Sequence, residues 1–178
     1  MTIPPAGASQ VTREGTTVIP REELLKLAKK EFATTLTMMR AFPADQVTFR
    51  PHERSSEVRK LMSTFVFELY LTSAHVFGDA MDRTRFTGYQ PATLADIIED
   101  FRRETESALR RLEALPDAAL EKQVVFNQVP FRADRFFLMM LCDQIHHRGQ
   151  LSVYVRLAGG KVPSVYGPTA DDSSTNLE

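Results

Sequence analysis

Apolar residues recur at every third or fourth position in four long stretches of the chain, which is the spacing of helices that bury one face. Prolines, glycines and capping residues mark the ends of these stretches. Between the third and fourth stretches, residues 124–129 predict a short pair of strands. The pattern therefore predicts an all-α four-helix bundle. Its helices should run from Pro20 to about Ala41, from Ser55 or Ser56 to Gly78 or Asp79, from Thr93 to just before Pro116, and from about Arg132 to about Ala158.

The predicted helix ends rest on particular residues. Ser55 or Ser56 should cap the second helix, and Thr93 with Asp96 should form a variant capping box at the start of the third. Gly159 and Gly160 should stop the fourth helix. Residues 1–19 are small and polar and predict a loose N-terminal arm, which could instead dock on the body. The residues after the two glycines predict an extended tail. We expect one domain over residues 1–178.

Composition and charge narrow the class of protein. The 22 Lys and Arg residues balance 23 Asp and Glu residues, so the chain lacks the basic excess of a nucleic-acid-binding protein. The longest apolar run, residues 136–142, is too short to span a bilayer, and the first twenty residues do not resemble a secretory signal. The single Cys142 excludes an internal disulfide and a multi-cysteine zinc site. We expect a cytoplasmic protein with no nucleic-acid or membrane partner.

The fourth predicted helix carries the candidate chemistry. Asp143 and His147 are four residues apart, so both side chains reach the same point above the helix and can chelate one divalent cation. The same pair can instead form a plain hydrogen bond without a metal. Both residues belong to a stripe that we expect to face the core: Phe136, Met139 or Met140, Asp143, His147, Gln150 or Leu151, Tyr154, and Leu157 or Ala158.

A metal site needs a third ligand from another helix, and the second helix offers Thr64, Glu68 and His75. Glu68 lies among apolar residues, where a carboxylate needs a partner, so we predict that it approaches the Asp143–His147 pair and that His75 does not. Gly149 lies in mid-helix, where glycine is costly, and we interpret it as a site of close helix packing.

The segments HHRGQL and YVRLAGGKVPSVYGPTAD, within residues 132–172, resemble the DinB/YfiT-like superfamily. The resemblance implies a four-helix bundle, usually a homodimer, with zinc or nickel held by three histidines. One histidine comes from the second helix, and two lie four residues apart on the last long helix. The second of that pair matches His147, but Asp143 occupies the position of the first, and Thr64 occupies the helix-2 position. Glu68 lies one turn beyond Thr64 and could replace the missing histidine.

Two functions follow from these residues. The first is a metal-dependent enzyme of the hydrolase or low-molecular-weight-thiol transferase type, acting on a small-molecule substrate. The resemblance supports the thiol chemistry, since characterised relatives include thiol transferases and isomerases that use a low-molecular-weight thiol. Glu68, Asp143 and His147 would hold the metal, while Gln150 and Tyr154 would orient ligands or substrate. The second is a non-catalytic small-molecule-binding or stress-related bundle protein that has lost its metal.

The homodimer has one further argument from the sequence. The fourth helix carries apolar or small residues off the Asp143 stripe, and a monomeric bundle has less need of them unless this helix is central and buried all round. These residues are Phe137, Leu138, Leu141, Ile145, Ser152 and Val155.

Overall fold

A computed structural model describes residues 17–172, except for residues 83, 85 and 86. It confirms the mainly helical fold and the short strand pair between the third and fourth long helices. Most of the predicted arm, residues 1–16, lies outside the described residues. The elements are α1 (Arg21–Arg40), α2 (Val58–Val76), α3 (Leu94–Ala114), the short α4 (Asp117–Leu120), β1 (Gln123–Phe126), β2 (Val129–Arg132) and α5 (Ala133–Leu157).

The helix starts differ in how they are capped. The capping box of α3 is confirmed, because the Thr93 hydroxyl accepts from the Asp96 amide and the Asp96 carboxylate accepts from the Thr93 amide. The predicted serine cap of α2 is wrong. Glu57 occupies the cap position and its side chain makes no capping hydrogen bond. The Val58 amide instead donates to the carbonyl of Phe49, so the preceding loop supplies the partner.

The four long helices bury one shared core. α5 packs against α1 and α2, and α3 packs against the same two helices from another side. Phe65 of α2 and Phe101 of α3 meet edge to face with ring centroids 5.9 Å apart, and Phe32 of α1 meets Phe101 at 6.4 Å. Phe65 also meets the His147 ring of α5 edge to face at 6.4 Å, so an aromatic contact joins α2 and α5, the two helices that carry the candidate site.

The buried face of α5 differs from the predicted stripe. After its first two turns, α5 buries a face formed by Leu141, Gln144, Arg148, Leu151 and Val155. Asp143 and His147 are only partly buried. The stripe centred on Asp143 therefore lies closer to solvent than the sequence predicts. The core also contains three of the residues whose apolar character was an argument for the homodimer: Phe137, Leu141 and Val155. The homodimer stays a prediction, now resting on the family resemblance.

Two glycines in the region of the last helix have surroundings that differ from those predicted. A Cβ atom added to Gly149 would meet nothing within 4 Å, so the predicted close packing at this residue is wrong. Gly160 is the glycine under steric constraint, because an added Cβ would lie 2.7 Å from the carbonyl oxygen of Ala41. Gly159 has a φ of +84° and ends α5 as predicted.

Both ends of the described chain are tied to α5. The Ile19 amide donates to the carboxylate of Asp134 at 2.8 Å, so the last residues of the predicted arm dock on the helix. In the tail, Asp171 accepts from Arg156 and from the Val162 amide. Within the described residues, the length and hydrophobicity needed to cross a membrane are not combined in any helix.

Candidate metal centre

Glu68 of α2 and His147 of α5 meet at the contact between the two helices. Oε1 of Glu68 lies 2.7 Å from Nδ1 of His147, and Oδ1 of Asp143 lies 3.9 Å from the same nitrogen. One potential ligand atom from each of the three residues falls within 4.8 Å of the other two. The structure therefore brings together the three residues that were predicted to hold a metal.

The three side chains span the boundary between core and solvent. Glu68 is 2% exposed, His147 is 21% exposed and Asp143 is 46% exposed. Oε2 of Glu68 is buried and has no hydrogen-bond partner. A buried carboxylate oxygen without a partner costs free energy, so the cluster has one coordination position that the protein itself does not fill.

The electrostatics of the cluster follow from this burial. Burial raises the pKa of Glu68 to about 7, although the hydrogen bond with His147 acts in the opposite direction. The hydrogen bond with Glu68 raises the pKa of His147 above its ordinary value, against the effect of burial. The pair therefore retains a proton at a pH where an isolated glutamate would have lost its own.

The other two candidates on α2 do not join the cluster. His75 packs between Phe126 and Phe136, with ring centroids at 5.6 Å and 4.8 Å. The Thr64 hydroxyl donates to the carbonyl of Lys60, in its own helix. The prediction that Glu68 and not His75 approaches the α5 pair is confirmed.

Gln150 and Tyr154 were predicted to orient a substrate, and neither is hydrogen-bonded to the cluster. Gln150 is exposed and its amide nitrogen lies 3.2 Å from Nε2 of His146. The Tyr154 hydroxyl donates to the carbonyl of Ser56 and so ties α5 to the start of α2. Their catalytic role stays a prediction that no contact in the structure supports.

A groove of about 410 Å³ opens beside Asp143. Met139, Met140 and Phe126 supply its apolar wall, while Asp143 and His146 supply polar groups. The two methionines could not be assigned to a site from the sequence, because side chains next to a site and side chains of a core share the same helical spacing. Nothing in the sequence indicated that Phe126, which lies on the strand pair, lines this groove.

A second polar cluster was also missed. Arg148, the residue after His147, donates to the Glu31 carboxylate at 2.7 Å and to the Tyr166 hydroxyl at 2.5 Å. Tyr166 in turn donates to Glu31 at 2.7 Å, so the tail closes over the ion pair. Arg148 and Tyr166 both lie in the segments that carry the family resemblance, and this was the available signal.

Comparisons with known sequences identify the family of the chain. Residues 13–178 match the DinB family. The chain therefore belongs to the DinB family. It is also 30% identical, over 88 residues, to the uncharacterised protein YrdA of Bacillus subtilis. That match covers 47% of this chain and 52% of YrdA, so the chain spans about half the length of this curated relative.

Solved structures share the fold. A DinB-like protein from Bacillus cereus superposes with a TM-score of 0.73 at 20% identity, over 82% of this chain and 97% of the other. The DinB-like protein YjoA of Bacillus subtilis gives 0.66 at 19% identity, over 83% and 99%. YfiT of Bacillus subtilis, described as a probable metal-dependent hydrolase with an unusual four-helix-bundle topology, gives 0.63 at 9% identity, over 83% and 92%.

Proposed function

We propose that this chain is a metal-dependent enzyme of the hydrolase or low-molecular-weight-thiol transferase type, with a divalent cation held by Glu68, Asp143 and His147. The observation that carries the proposal is the convergence of one ligand atom from each of the three side chains within 4.8 Å, and Glu68 also has a buried carboxylate oxygen without a partner. The description of YfiT as a probable metal-dependent hydrolase adds support from a protein with the same fold.

The donor set fits a divalent cation. Two carboxylates bring two negative charges, which balance the charge of the ion, and the imidazole adds a nitrogen donor. Zinc and nickel both accept imidazole ligands, and zinc also accepts carboxylate oxygens. A bound cation would give Oε2 of Glu68 the partner that the protein lacks. Three protein ligands leave a position for water or substrate, as catalytic zinc sites do.

The surroundings of the cluster favour reaction with a small molecule. A bound cation would supply Lewis acidity, which lowers the pKa of a coordinated water or thiol. The exposed side of Asp143 faces the groove that Met139 and Met140 line, so a small substrate with an apolar part can approach there. Burial raises the pKa of Glu68 to about 7 in the metal-free protein, so a cation that binds this carboxylate near neutral pH would displace its proton.

One observation favours the alternative, a non-catalytic binding protein without metal. The 2.7 Å contact between Glu68 and His147 already gives each residue a partner. In that case the cluster would be a hydrogen-bonded pair with Asp143 at its rim, and the groove would bind a small molecule without transforming it.

Metal titration separates the two functions. Tag-free protein purified without added metal should contain zinc or nickel by elemental analysis, or should bind one of them in calorimetry. His147→Ala should lose affinity by at least about 100-fold, because it removes the only nitrogen ligand. Asp143→Asn should weaken binding less, since it removes a charge but retains an oxygen. The matched controls are Thr64→Ala and His146→Ala, which lie beside the site and should bind like the parent.

Activity needs a separate measurement. The metal-loaded protein should accelerate transfer of a small thiol to an electrophile, or hydrolysis of a simple ester or amide, and His147→Ala should abolish the acceleration. The proposed metal site would be overturned if the parent protein bound neither metal, or if the His147→Ala variant bound them as tightly as the parent. Binding without any accelerated reaction in these assays would favour the non-catalytic alternative.

A further inference from the structure

The face of α5 that borders the groove beside Asp143 carries three side chains with soft donor atoms. Met139, Cys142 and His146 follow one another at spacings of three and four residues, so they lie within about 60° of each other around the helix axis. All three line this groove, whose volume is about 410 Å³. The spacing and the groove together place a thioether, a thiol and an imidazole on one surface.

The thiol and the imidazole are open to an incoming ion. Cys142 is the one cysteine of the chain, and both it and His146 are exposed. Nε2 of His146 lies 3.2 Å from the amide nitrogen of Gln150, one turn further along α5. Within the part of the chain that the structure describes, neither Nδ1 of His146 nor the thiol of Cys142 has a hydrogen-bond partner.

The helix brings these donors within reach of one ion. Side chains three and four residues apart have Cβ atoms about 5–6 Å apart, so Cys142 has Met139 as a neighbour on one side and His146 on the other. The thioether of Met139 stands on a long unbranched side chain, which can adjust to the position of the ion. Cys142 therefore occupies the middle of a set of three donors.

The chemistry of this set favours a soft monovalent cation. Thiolate and thioether sulfurs select copper(I), and imidazole also binds copper. The carboxylates of the Glu68 cluster suit harder ions, so the two sets of donors differ in the metal that they favour. Met140 and Phe126 add apolar groups to the same groove, and Asp143 adds a negative charge that attracts any cation.

We propose that Met139, Cys142 and His146 form a second metal site, which binds a soft monovalent cation of the copper(I) type. The thiol releases its proton to solvent when its sulfur binds the ion, because the thiolate is the metal-binding form. None of the three residues belongs to the Glu68 cluster, so the inference goes beyond the proposed function and does not depend on a divalent cation. An ion at this site would lie in the groove through which a substrate is proposed to approach Asp143.

The test is an anaerobic titration of the metal-free protein with copper(I), in competition with the chelator bathocuproine disulfonate. The parent should take up one copper(I) per chain. Cys142→Ser should lower the affinity by at least about 100-fold, and His146→Phe by about tenfold, because each removes a strong ligand. Met139→Leu should lower it by about threefold, since it removes a weaker sulfur ligand and retains the shape of the side chain.

Two matched controls should bind copper(I) like the parent. Met140→Leu removes a thioether that lines the groove but lies about 100° around the helix from Met139. Glu68→Gln changes a ligand of the other cluster. Silver(I), which is soft and does not change its oxidation state in this experiment, should shift the methyl resonance of Met139 more than that of Met140.

The proposal would be overturned if the parent could not take copper(I) from the chelator. It would also be overturned if His146→Phe bound as tightly as the parent, because the ion would then be held by an isolated thiol. A loss of affinity in Glu68→Gln would place the ion in the Glu68 cluster and would equally contradict the second site. If a variant had a lower melting temperature, the silver(I) shifts of the parent would decide, and an unchanged Met139 resonance would overturn the proposal.

Discussion

Two adjacent residues of α5 reach buried glutamates on two different helices, and the two contacts are built differently. Arg148 meets Glu31 of α1, and His147 meets Glu68 of α2, each at 2.7 Å. Around Glu31, the hydroxyls of Thr35 and Tyr166 complete the contacts of the guanidinium, and none of these four described side chains has a buried nitrogen or oxygen without a partner. Around Glu68, the second carboxylate oxygen has none.

This difference distinguishes a structural ion pair from a ligand-binding site. A buried charge pair is retained when every polar atom is satisfied, and it then holds elements together. Arg148 joins α1, α5 and the tail in this way. An unsatisfied buried oxygen reduces stability, and a ligand that fills the position recovers the lost free energy. The Glu68 cluster has this second character, which is why we place the metal there and not at Glu31.

The largest expected effect is on the satisfied pair. Arg148→Met should lower the free energy of unfolding by about 3–5 kcal/mol, because it leaves the Glu31 carboxylate buried without a counter-charge. Urea unfolding followed by circular dichroism measures the change. The double variant Arg148→Met with Glu31→Leu should recover much of the loss, since it removes both charges together.

Arg102→Met is the control for Arg148→Met. Arg102 pairs with Glu99 and Glu106 on the exposed face of α3, and its loss should cost far less than the loss of Arg148, because exposed ion pairs are screened by solvent. If the Arg148 and Arg102 variants unfolded at the same urea concentration, the buried pair would not be structural and the comparison would fail.

The second prediction concerns pH. The pKa of Glu68 is raised from 4.5 to about 7, so between these pH values the folded protein holds a proton that the unfolded chain has released. The raised pKa of His147 adds stability that is complete below pH 6.5 and is lost as pH rises through the folded value. Both effects make the metal-free protein less stable as pH rises from 5 to 8.

Glu68→Gln should flatten this decline, because it removes the group with the raised pKa. It should change the free energy of unfolding at pH 8 by no more than about 1 kcal/mol, since the amide has the shape of the carboxyl group. Glu31→Gln should cost about 3 kcal/mol or more, because Arg148 then keeps an uncompensated buried charge. Urea midpoints at several pH values, in a chelating buffer, measure both. A parent that becomes more stable toward pH 8 in that buffer would contradict the raised pKa values.

The bundle could be predicted from the sequence because its signals are local. Helical spacing of apolar residues, the Thr93–Asp96 box and the Gly159 stop all act within a few residues, and the structure shows each of them. The approach of Glu68 could also be predicted, since a carboxylate in an apolar stripe requires a partner from another helix.

Other features depended on contacts between distant parts of the chain. The exact rotation of α5 about its axis is set by its packing against α1 and α2. A small error in the predicted rotation placed Asp143 too deep in the core and brought Gln150 next to the candidate site. The partner of Arg148 is Glu31, 117 residues away, and nothing in the spacing of either residue indicates this pair. Gly149 and Gly160 could not be told apart for the same reason, because the crowding of Gly160 comes from Ala41.

The smallest expected effect concerns the tail. The Tyr166 hydroxyl accepts from Arg148 and donates to Glu31, and its ring lies 5.2 Å from both the Arg148 guanidinium carbon and the Lys30 ammonium nitrogen. Tyr166→Phe removes the hydroxyl and retains the ring, so it should lower the free energy of unfolding by about 1 kcal/mol. Tyr166→Leu removes the cation–π contacts as well and should cost about 0.5–1 kcal/mol more.

Urea unfolding gives the stability of the two Tyr166 variants, and hydrogen exchange of residues 158–172 tells whether the tail has loosened. In both variants exchange in the tail should accelerate while exchange in α2 stays unchanged, because the tail closes the Glu31–Arg148 pair and not the Glu68 cluster. A stability loss as large as that of Arg148→Met would mean that the hydroxyl, rather than the ion pair, holds the cluster together. Unchanged stability would show that Arg148 and Glu31 satisfy each other without the tail. The contrast between this pair and the Glu68 cluster would then depend only on contacts within the helical bundle.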